Sequence, residues 1–164
     1  MKKIWFVVKA AFWLLLLSEL APVSVAAEFT PTSTSIQYSL FEDATGELRF
    51  SQVSSAEFLG KFSPVDSGSH NFGFTSSVYW LRLQISNQNS LDGTWYIRQD
   101  YPLIDYLDVW QQDNNQMWRQ QATGDRRSFA MREIEHRDFL FAAPVKAQSS
   151  KVIYLRFQSD GPIN

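Results

Sequence analysis

The stretch Val78–Asn87, VYWLRLQISN, decides the fold class of this chain. Three aliphatic side chains, Leu81, Leu83 and Ile85, alternate in it with aromatic or polar ones, and this period of two predicts a β-strand with unlike faces. The aliphatic face suits a protein core. The opposite face carries an indole, a guanidinium and an amide, so it is either a binding surface or the outer side of a sandwich.

Similar alternation recurs along the rest of the chain. The predicted strands span residues 36–42, 78–87, 95–100, 105–112, 117–122, 137–141 and 151–159. One short helix is predicted over residues 54–62, because Ser54 and Glu57 have the spacing of a capping box. The Asp92–Gly93 pair predicts a hairpin between two of the strands. Together these features predict an all-β fold, a jelly-roll-like antiparallel β-sandwich with one short helix.

The beginning of the chain predicts an export signal. Three early lysines precede an apolar run at residues 10–17, AAFWLLLL, and small residues follow at positions 25–27. This order is typical of a cleaved signal peptide. The alternative is an uncleaved anchor, but a membrane span needs about 20 apolar residues, and Lys9, Glu19 and Pro22 interrupt this stretch. We therefore predict a signal peptide at 1–27, a flexible lead-in at 28–35 and a sandwich at 36–164.

The end of the chain suggests that more protein follows. The last predicted strand is succeeded only by Asp160 to Asn164, where a sandwich strand would normally still have a neighbour to come. An unpaired edge strand would be left exposed. We expect that the sandwich is truncated at its C-terminal end and that the chain is a fragment of a longer protein.

Composition excludes several classes of function. The net charge is −2, whereas a nucleic-acid-binding domain needs a basic stripe; we expect no nucleic-acid partner. Cysteine is absent, although export would permit disulfides. The fold must therefore be held by packing, for which 6 Trp, 6 Tyr and 13 Phe are available.

No arrangement of residues predicts catalysis. His136 and Asp138 match the start of a protein-kinase catalytic loop, but the position that requires asparagine is Ala143. His70 and His136 are the only histidines, and zinc sites are built from histidine and thiolate ligands. No G-x-S-x-G elbow accompanies the serines. We predict neither an enzyme nor a metal site, and no cofactor.

The polar faces of the strands are the best candidates for ligand binding. If the strands are neighbours in one sheet, a spacing of about 5 Å merges these faces into one patch. Aromatic rings suit the C–H faces of sugars, and arginine suits carboxylates. The alternative is that the rings pack under loops while the arginine stems lie across them. The candidate ligand-binding residues are Trp80, Arg82, Tyr96, Arg98, Tyr106, Asp108, Trp110 and Arg156.

Five segments in order carry a resemblance to a known family. They are residues 40–46, 71–82 (NFGFTSSVYWLR), 101–109 (YPLIDYLDV), 123–141 and 154–159. Over roughly residues 36–163 the chain resembles the type 2 extracellular sensor domain of bacterial seven-transmembrane receptors with diverse intracellular signalling modules. The resemblance implies a jelly-roll sandwich outside the cytoplasmic membrane that binds carbohydrate or a similar small ligand. In the family, seven membrane helices and an output module, such as a diguanylate cyclase or a histidine kinase, follow the domain.

Three hypotheses for function follow. The first is a periplasmic ligand-sensing domain of a membrane signal-transduction receptor, exported to the periplasmic face of the inner membrane and present here without its transmembrane and output modules. The second is a secreted carbohydrate-binding module. The third is a protein-interaction domain whose aromatic face binds another protein or forms a homodimer.

Overall fold

The stretch VYWLRLQISN forms a strand, β4, as its alternation predicts. β4 lies inside an antiparallel sheet, with a paired strand on each side. The structure is a computed structural model that describes residues 34–66 and 70–163. Its strands are β1 (Thr34–Asp43), β2 (Ser63–Val65), β3 (Gly73–Phe74), β4 (Val78–Asn87), β5 (Gly93–Gln99), β6 (Tyr106–Gln112), β7 (Trp118–Thr123), β8 (Phe139–Val145), β9 (Ser149–Gln158) and β10 (Pro162–Ile163). The helical segments are α1 (Phe50–Val53) and two 3-10 helices, Ala56–Lys61 and Phe129–Met131.

Six strands form the main sheet in the order β2-β1-β4-β9-β6-β7. A two-stranded sheet, β5-β8, supplies the opposite layer, and β3 pairs with β10 in a second small sheet. The paired strands are antiparallel. The predicted all-β sandwich is therefore confirmed.

The larger hydrophobic core lies between the main sheet and the β5-β8 sheet. It contains the aliphatic residues of VYWLRLQISN, as the sequence predicts, together with the matching positions of β6 and β9. Ile153 lies beside Leu83, and Leu155 lies between Leu81 and Val109. The buried members are Tyr79, Leu83, Ile85, Ile104, Leu107, Val109, Phe139, Phe141, Ala143, Val145, Ile153, Leu155 and Ile163.

The predicted helix at 54–62 is wrong in its bounds and its type. The chain forms a single α-helical turn at Phe50–Val53 and then a 3-10 helix at Ala56–Lys61. Ser54 closes the first turn at its C-terminal end, so it does not begin a helix. The 3-10 geometry, with 3.0 residues per turn, also separates residues that an α-helix would group: Phe58 is buried, whereas Leu59 is 41% exposed.

The predicted hairpin at Asp92–Gly93 is also wrong. Strand β4 pairs with β1 and β9, whereas β5 pairs with β8 in the other sheet. Asp92 is instead held by the far end of β8, where its carboxylate accepts hydrogen bonds from the Lys146 ammonium (2.9 Å) and the Ala147 N–H (2.8 Å). The Asp-Gly pair therefore lies where the chain crosses from the main sheet to the β5-β8 sheet. Aspartate and glycine favour a bend in such a connection as they do in a hairpin.

The structure does not test the predictions for the beginning of the chain. The signal peptide at 1–27 lies outside the described residues, as does most of the lead-in at 28–35. Within residues 34–66 and 70–163, no helix is long and apolar enough to cross a membrane.

Candidate functional site

One face of the main sheet carries most of the predicted binding residues, and it is covered. We call it the capped face, and we call residues 48–62, which lie over it, the cap. Trp80, Trp110 and Tyr154 from three neighbouring strands form a second hydrophobic cluster with the cap residues Val53, Phe58 and Phe62. Trp80 is 0% exposed and Trp110 is 9% exposed. These two indoles are therefore core residues in this structure.

Aromatic contacts join the cap to the sheet. Phe50 stacks on Trp110 with ring centroids 4.8 Å apart and an angle of 2° between the ring planes. It meets Tyr154 edge to face at 5.6 Å. Phe58 meets Phe41 edge to face at 4.8 Å. Such pairs add about 0.5–1.5 kcal/mol each beyond the area they bury, so they stabilise the cap strongly for its short length.

Among the described residues, the hydrogen bonds that attach the cap to the sheet lie at its two ends. At its start, the buried Asp43 carboxylate accepts hydrogen bonds from the Leu48 N–H (3.0 Å) and the Gly46 N–H (3.0 Å). At its end, β2 pairs with β1. The backbone hydrogen bonds described between these ends close within the cap, as from Ser54 N–H to Phe50 O (2.8 Å). Side-chain packing therefore holds the middle of the cap in place.

Hydrogen bonds also determine the acidity of Asp43. Burial by itself would raise the pKa of this carboxyl group. The Thr45 hydroxyl and the N–H groups of Leu48, Gly46 and Thr45 donate to the carboxylate and together bring its pKa below the ordinary value. The turn predicted at residues 43–46 thus becomes a fixed, charged anchor for the cap.

A charge cluster lies beside the capped aromatic residues. Asp108 is buried, and it accepts a hydrogen bond from the Arg127 guanidinium at 2.6 Å and lies 3.7 Å from that of Arg156. Arg127 also lies over the Tyr106 ring at 5.2 Å, and Arg156 over the Trp80 ring at 5.9 Å. Burial lowers the pKa of Arg156, although Asp108 acts in the opposite direction.

A tight turn brings Arg127 to this cluster. Gly124 has φ +138° and approaches Asp105 so closely that an added Cβ would lie 2.1 Å from the Asp105 carbonyl oxygen. The turn allows Arg127 to bond both the Thr123 carbonyl (2.7 Å) and Asp108. The cluster is therefore a built ion-pair network that ties the loop after β7 to the main sheet.

Two polar donors on the capped face have no partner among the described residues. They are the indole N–H of Trp80 and the Nε–H of Arg82. Arg82 does donate to the Gln84 side chain at 3.1 Å through its terminal nitrogen. Unpaired buried donors are uncommon and cost free energy. The packing of aromatic rings, and not the hydrogen bonding of polar atoms, is therefore what stabilises the capped face.

Tyr96 and Arg98 lie in the other layer. They are on β5, whose alternate residues Trp95 and Ile97 pack on the core. Tyr96 is 66% exposed, and Arg98 binds the buried Asp138 carboxylate at 2.7 Å. They point away from the main sheet, so the assumption that all the candidate residues share one sheet is wrong.

The predicted set is therefore divided in space. Trp80, Arg82, Tyr106, Asp108, Trp110 and Arg156 share the capped face, whereas Tyr96 and Arg98 lie on the outer face of the small sheet. A role of any of them in ligand binding stays a prediction. What the structure places around the two indoles is protein: Phe50 and the charge cluster occupy the positions next to the rings.

An open cleft lies on the opposite side of the main sheet. It exists because the β5-β8 layer is narrower than the main sheet. β8 is an edge strand of that layer, and no further strand lies beside it among the described residues. Its volume is about 1160 Å³. Most of the lining residues are polar, and those that carry the arguments below are Thr94, Gln111, Arg119, Lys146, Ser149 and Lys151.

Side chains from the main sheet replace the missing neighbour of β8. The Gln111 amide donates to the Ala142 carbonyl at 3.0 Å, and the Lys151 ammonium donates to the Pro144 carbonyl at 3.3 Å. Pro144 itself has no N–H, which suits an edge strand. The cleft floor and its β8 wall are thus joined by two long polar side chains.

The sequence contains a signal for this cleft that the predictions missed. Gln111 follows Leu107 and Val109 at the same spacing of two, so it occupies the core side of β6. Lys151 likewise precedes Ile153 and Leu155 on the core side of β9. A polar residue in an aliphatic register marks the place where the opposite layer ends, because it needs access to water or a partner.

Comparison with known proteins identifies the family. A family model described as 7TMR-DISM extracellular 2 matches residues 35–164, which includes all the described strands apart from the first residue of β1. No curated protein matches the sequence. The match agrees with the resemblance of the five segments, with the sandwich fold and with the expected location in the periplasm. The family is one of extracellular sensor domains of membrane receptors and not of enzymes. This chain belongs to the 7TMR-DISM extracellular 2 family and is a periplasmic receptor sensor domain.

Proposed function

We propose that this domain senses a small hydroxylated ligand, a carbohydrate or a similar polyol, by binding it in the cleft beside β8. The observation that supports the proposal is the size and polarity of the cleft, about 1160 Å³. Small-molecule sites typically occupy about 300–1,000 Å³, so a mono- or disaccharide has room together with some water.

The chemistry of the lining suits hydroxyl groups. Thr94 and Ser149 contribute hydroxyls, which can both donate and accept, and Gln111 contributes an amide whose nitrogen donates to the Ala142 carbonyl. The described lining contains no aromatic side chain. Recognition in the cleft would therefore depend on hydrogen bonds and charge, in contrast to the ring stacking expected on the capped face.

The position of the cleft supports a sensing role. Its floor belongs to the main sheet and one of its walls is β8 of the other layer. A ligand that contacts both would favour one spacing of the two layers and shift the population of conformations. In a membrane receptor, such a shift is what the transmembrane part would receive. Formation of a homodimer stays a prediction.

Thermal unfolding of the purified chain with galactose, glucose, N-acetylglucosamine and maltose tests the proposal. A sugar that binds only the folded state raises the Tm, because it adds RT ln(1 + [L]/Kd) to the free energy of unfolding. We expect that Gln111→Ala abolishes at least half of that rise, because Gln111 lines the cleft and joins its floor to the β8 wall. Gln84→Ala is the matched control, since Gln84 lies on the capped side of the same sheet. No rise with any sugar, or an equal loss in both variants, would overturn the proposal.

A further inference from the structure

The charged side chains of the cleft are almost all paired. Arg119 binds the Asp113 carboxylate at 2.8 Å, and Lys146 binds that of Asp92 at 2.9 Å. The Gln121 amide, oriented with its nitrogen toward Glu133, donates to the Glu133 carboxylate at 2.9 Å and accepts from the Glu133 N–H at 3.1 Å. These contacts give the charged side chains at the rim of the cleft partners within the protein itself.

Lys151 is the exception. Its ammonium contacts the Pro144 carbonyl at 3.3 Å, and no carboxylate among the described residues lies within the 4.0 Å of an ion pair. The side chain is half-buried, and burial is the one cause that lowers its pKa below the ordinary value for lysine. No nearby negative charge opposes that shift.

This environment is unfavourable for a lone cation. An ammonium has three donors, and one weak contact to a carbonyl uses only one of them. Partial removal from water costs free energy that an opposite charge would recover, and the attraction is larger in a partly buried site than in open solvent. Lys151 stands on the core side of β9, opposite Ile85 and two residues before Ile153, and it lines the cleft, so a partner would approach its ammonium from the cleft.

We propose that Lys151 binds a carboxylate of the ligand, so that the cleft selects acidic sugars or sugar acids over neutral sugars. This inference rests on the proposed function, because it names the class of ligand for the same cleft. A single negative charge fits better than the double charge of a phosphate. The Glu133 carboxylate also lines the cleft, where its partner is a neutral amide and not a cation, and it would repel a second charge.

Galacturonate and galactose form the matched pair of probes, since they differ in a carboxylate against a hydroxymethyl group. Isothermal titration of the purified chain should show tighter binding of galacturonate. Lys151→Met keeps the apolar stem and removes the charge. We expect it to weaken galacturonate by about tenfold or more, the range of a charged hydrogen bond, and to leave galactose within about twofold. Lys151→Arg should restore most of the preference.

Lys61→Met is the control, because Lys61 lies on the cap over the Phe58 ring, away from the cleft. It should leave both affinities nearly unchanged. If galactose binds as tightly as galacturonate, or if Lys61→Met has the larger effect, the inference is wrong while the proposed cleft stands. Tighter binding of galactose 6-phosphate than of galacturonate would overturn the choice of a carboxylate. Binding of none of the three would overturn both proposals.

Discussion

The two faces of the main sheet are covered in different ways, and the difference distinguishes a closed, tightly packed region from one that is open to solvent. The capped face is sealed by a short segment of the same chain, with Phe50 stacked on Trp110. The other face is covered by the β5-β8 sheet together with Ile104 and with Ile163 of β10, and a cleft lined mainly by polar residues stays open beside β8. Aromatic side chains therefore mark the sealed region, and polar side chains in core positions mark the open one.

This comparison shows that residue type alone does not locate a binding surface. Trp80 and Arg156 have the chemistry of a sugar-binding platform, yet they lie together beneath protein. Gln111 and Lys151 look like irregularities in two aliphatic strands, yet they line the cleft. The predictions below test whether the capped face is primarily structural, from the largest expected effect to the smallest.

Trp80→Ala should give the largest loss of stability. The indole is fully buried and packs on Trp110 at 5.4 Å, and replacing a buried tryptophan by alanine typically costs about 3–5 kcal/mol. Urea unfolding followed by circular dichroism measures the change in the free energy of unfolding. Tyr96→Ala, on the exposed outer face, should change it by less than about 0.5 kcal/mol. Equal effects of the two substitutions would contradict a structural role for Trp80.

Phe50→Ala should have an intermediate effect, because Phe50 is half-buried in the cap. We expect a loss of about 1–3 kcal/mol from its ring contacts and area. Trp110 should also become accessible to water, which increases quenching of tryptophan fluorescence by acrylamide. Leu59→Ala, an exposed position of the same cap, is the control. If quenching rises equally in both variants, Phe50 does not shield the indole.

Asp43→Asn should have the smallest effect at neutral pH, about 1–2 kcal/mol, from weaker hydrogen bonds to the start of the cap. The folded-state pKa of Asp43 lies below its ordinary value of 3.8. Its contribution to stability is therefore complete above pH 3.8 and is lost as the pH falls through the folded-state pKa. The difference in unfolding free energy between the two proteins should shrink over that acidic range. A constant difference from pH 7 to pH 2 would contradict the anchoring role.

Local pattern was sufficient to predict the seven longer strands and their faces, whereas the short strands β2, β3 and β10 were not predicted. In β4, β6 and β9 the period of two assigns each side chain to one face without knowledge of its partner. The order of the five segments was also sufficient to predict the family. The helix bounds were wrong because Ser54 and Glu57 matched a capping box by spacing only, whereas the aromatic contacts of Phe50 and Phe58 fix the turns of the cap.

Assignment of strands to sheets required the tertiary structure. The Asp92–Gly93 turn is compatible with a hairpin or a crossover, and only the pairing of β5 with β8 distinguishes them. The division of the predicted residues follows from this, because Tyr96 and Arg98 move with β5 to the other layer. Sequence separation between partners, such as Gln111 and Ala142, also hides the β8 wall of the cleft from any local pattern.

The sequence by itself determined that VYWLRLQISN is a strand with one aliphatic and one aromatic-polar face, and that the chain is a sensor sandwich. It did so because side-chain alternation and segment order are properties of the chain alone. Only the tertiary structure decided what lies over each face. Residues 48–62 fold onto Trp80 and Trp110, and β8 forms the edge of its layer beside Gln111 and Lys151. Local pattern could not show this, because the covering of a face depends on contacts between residues distant in sequence.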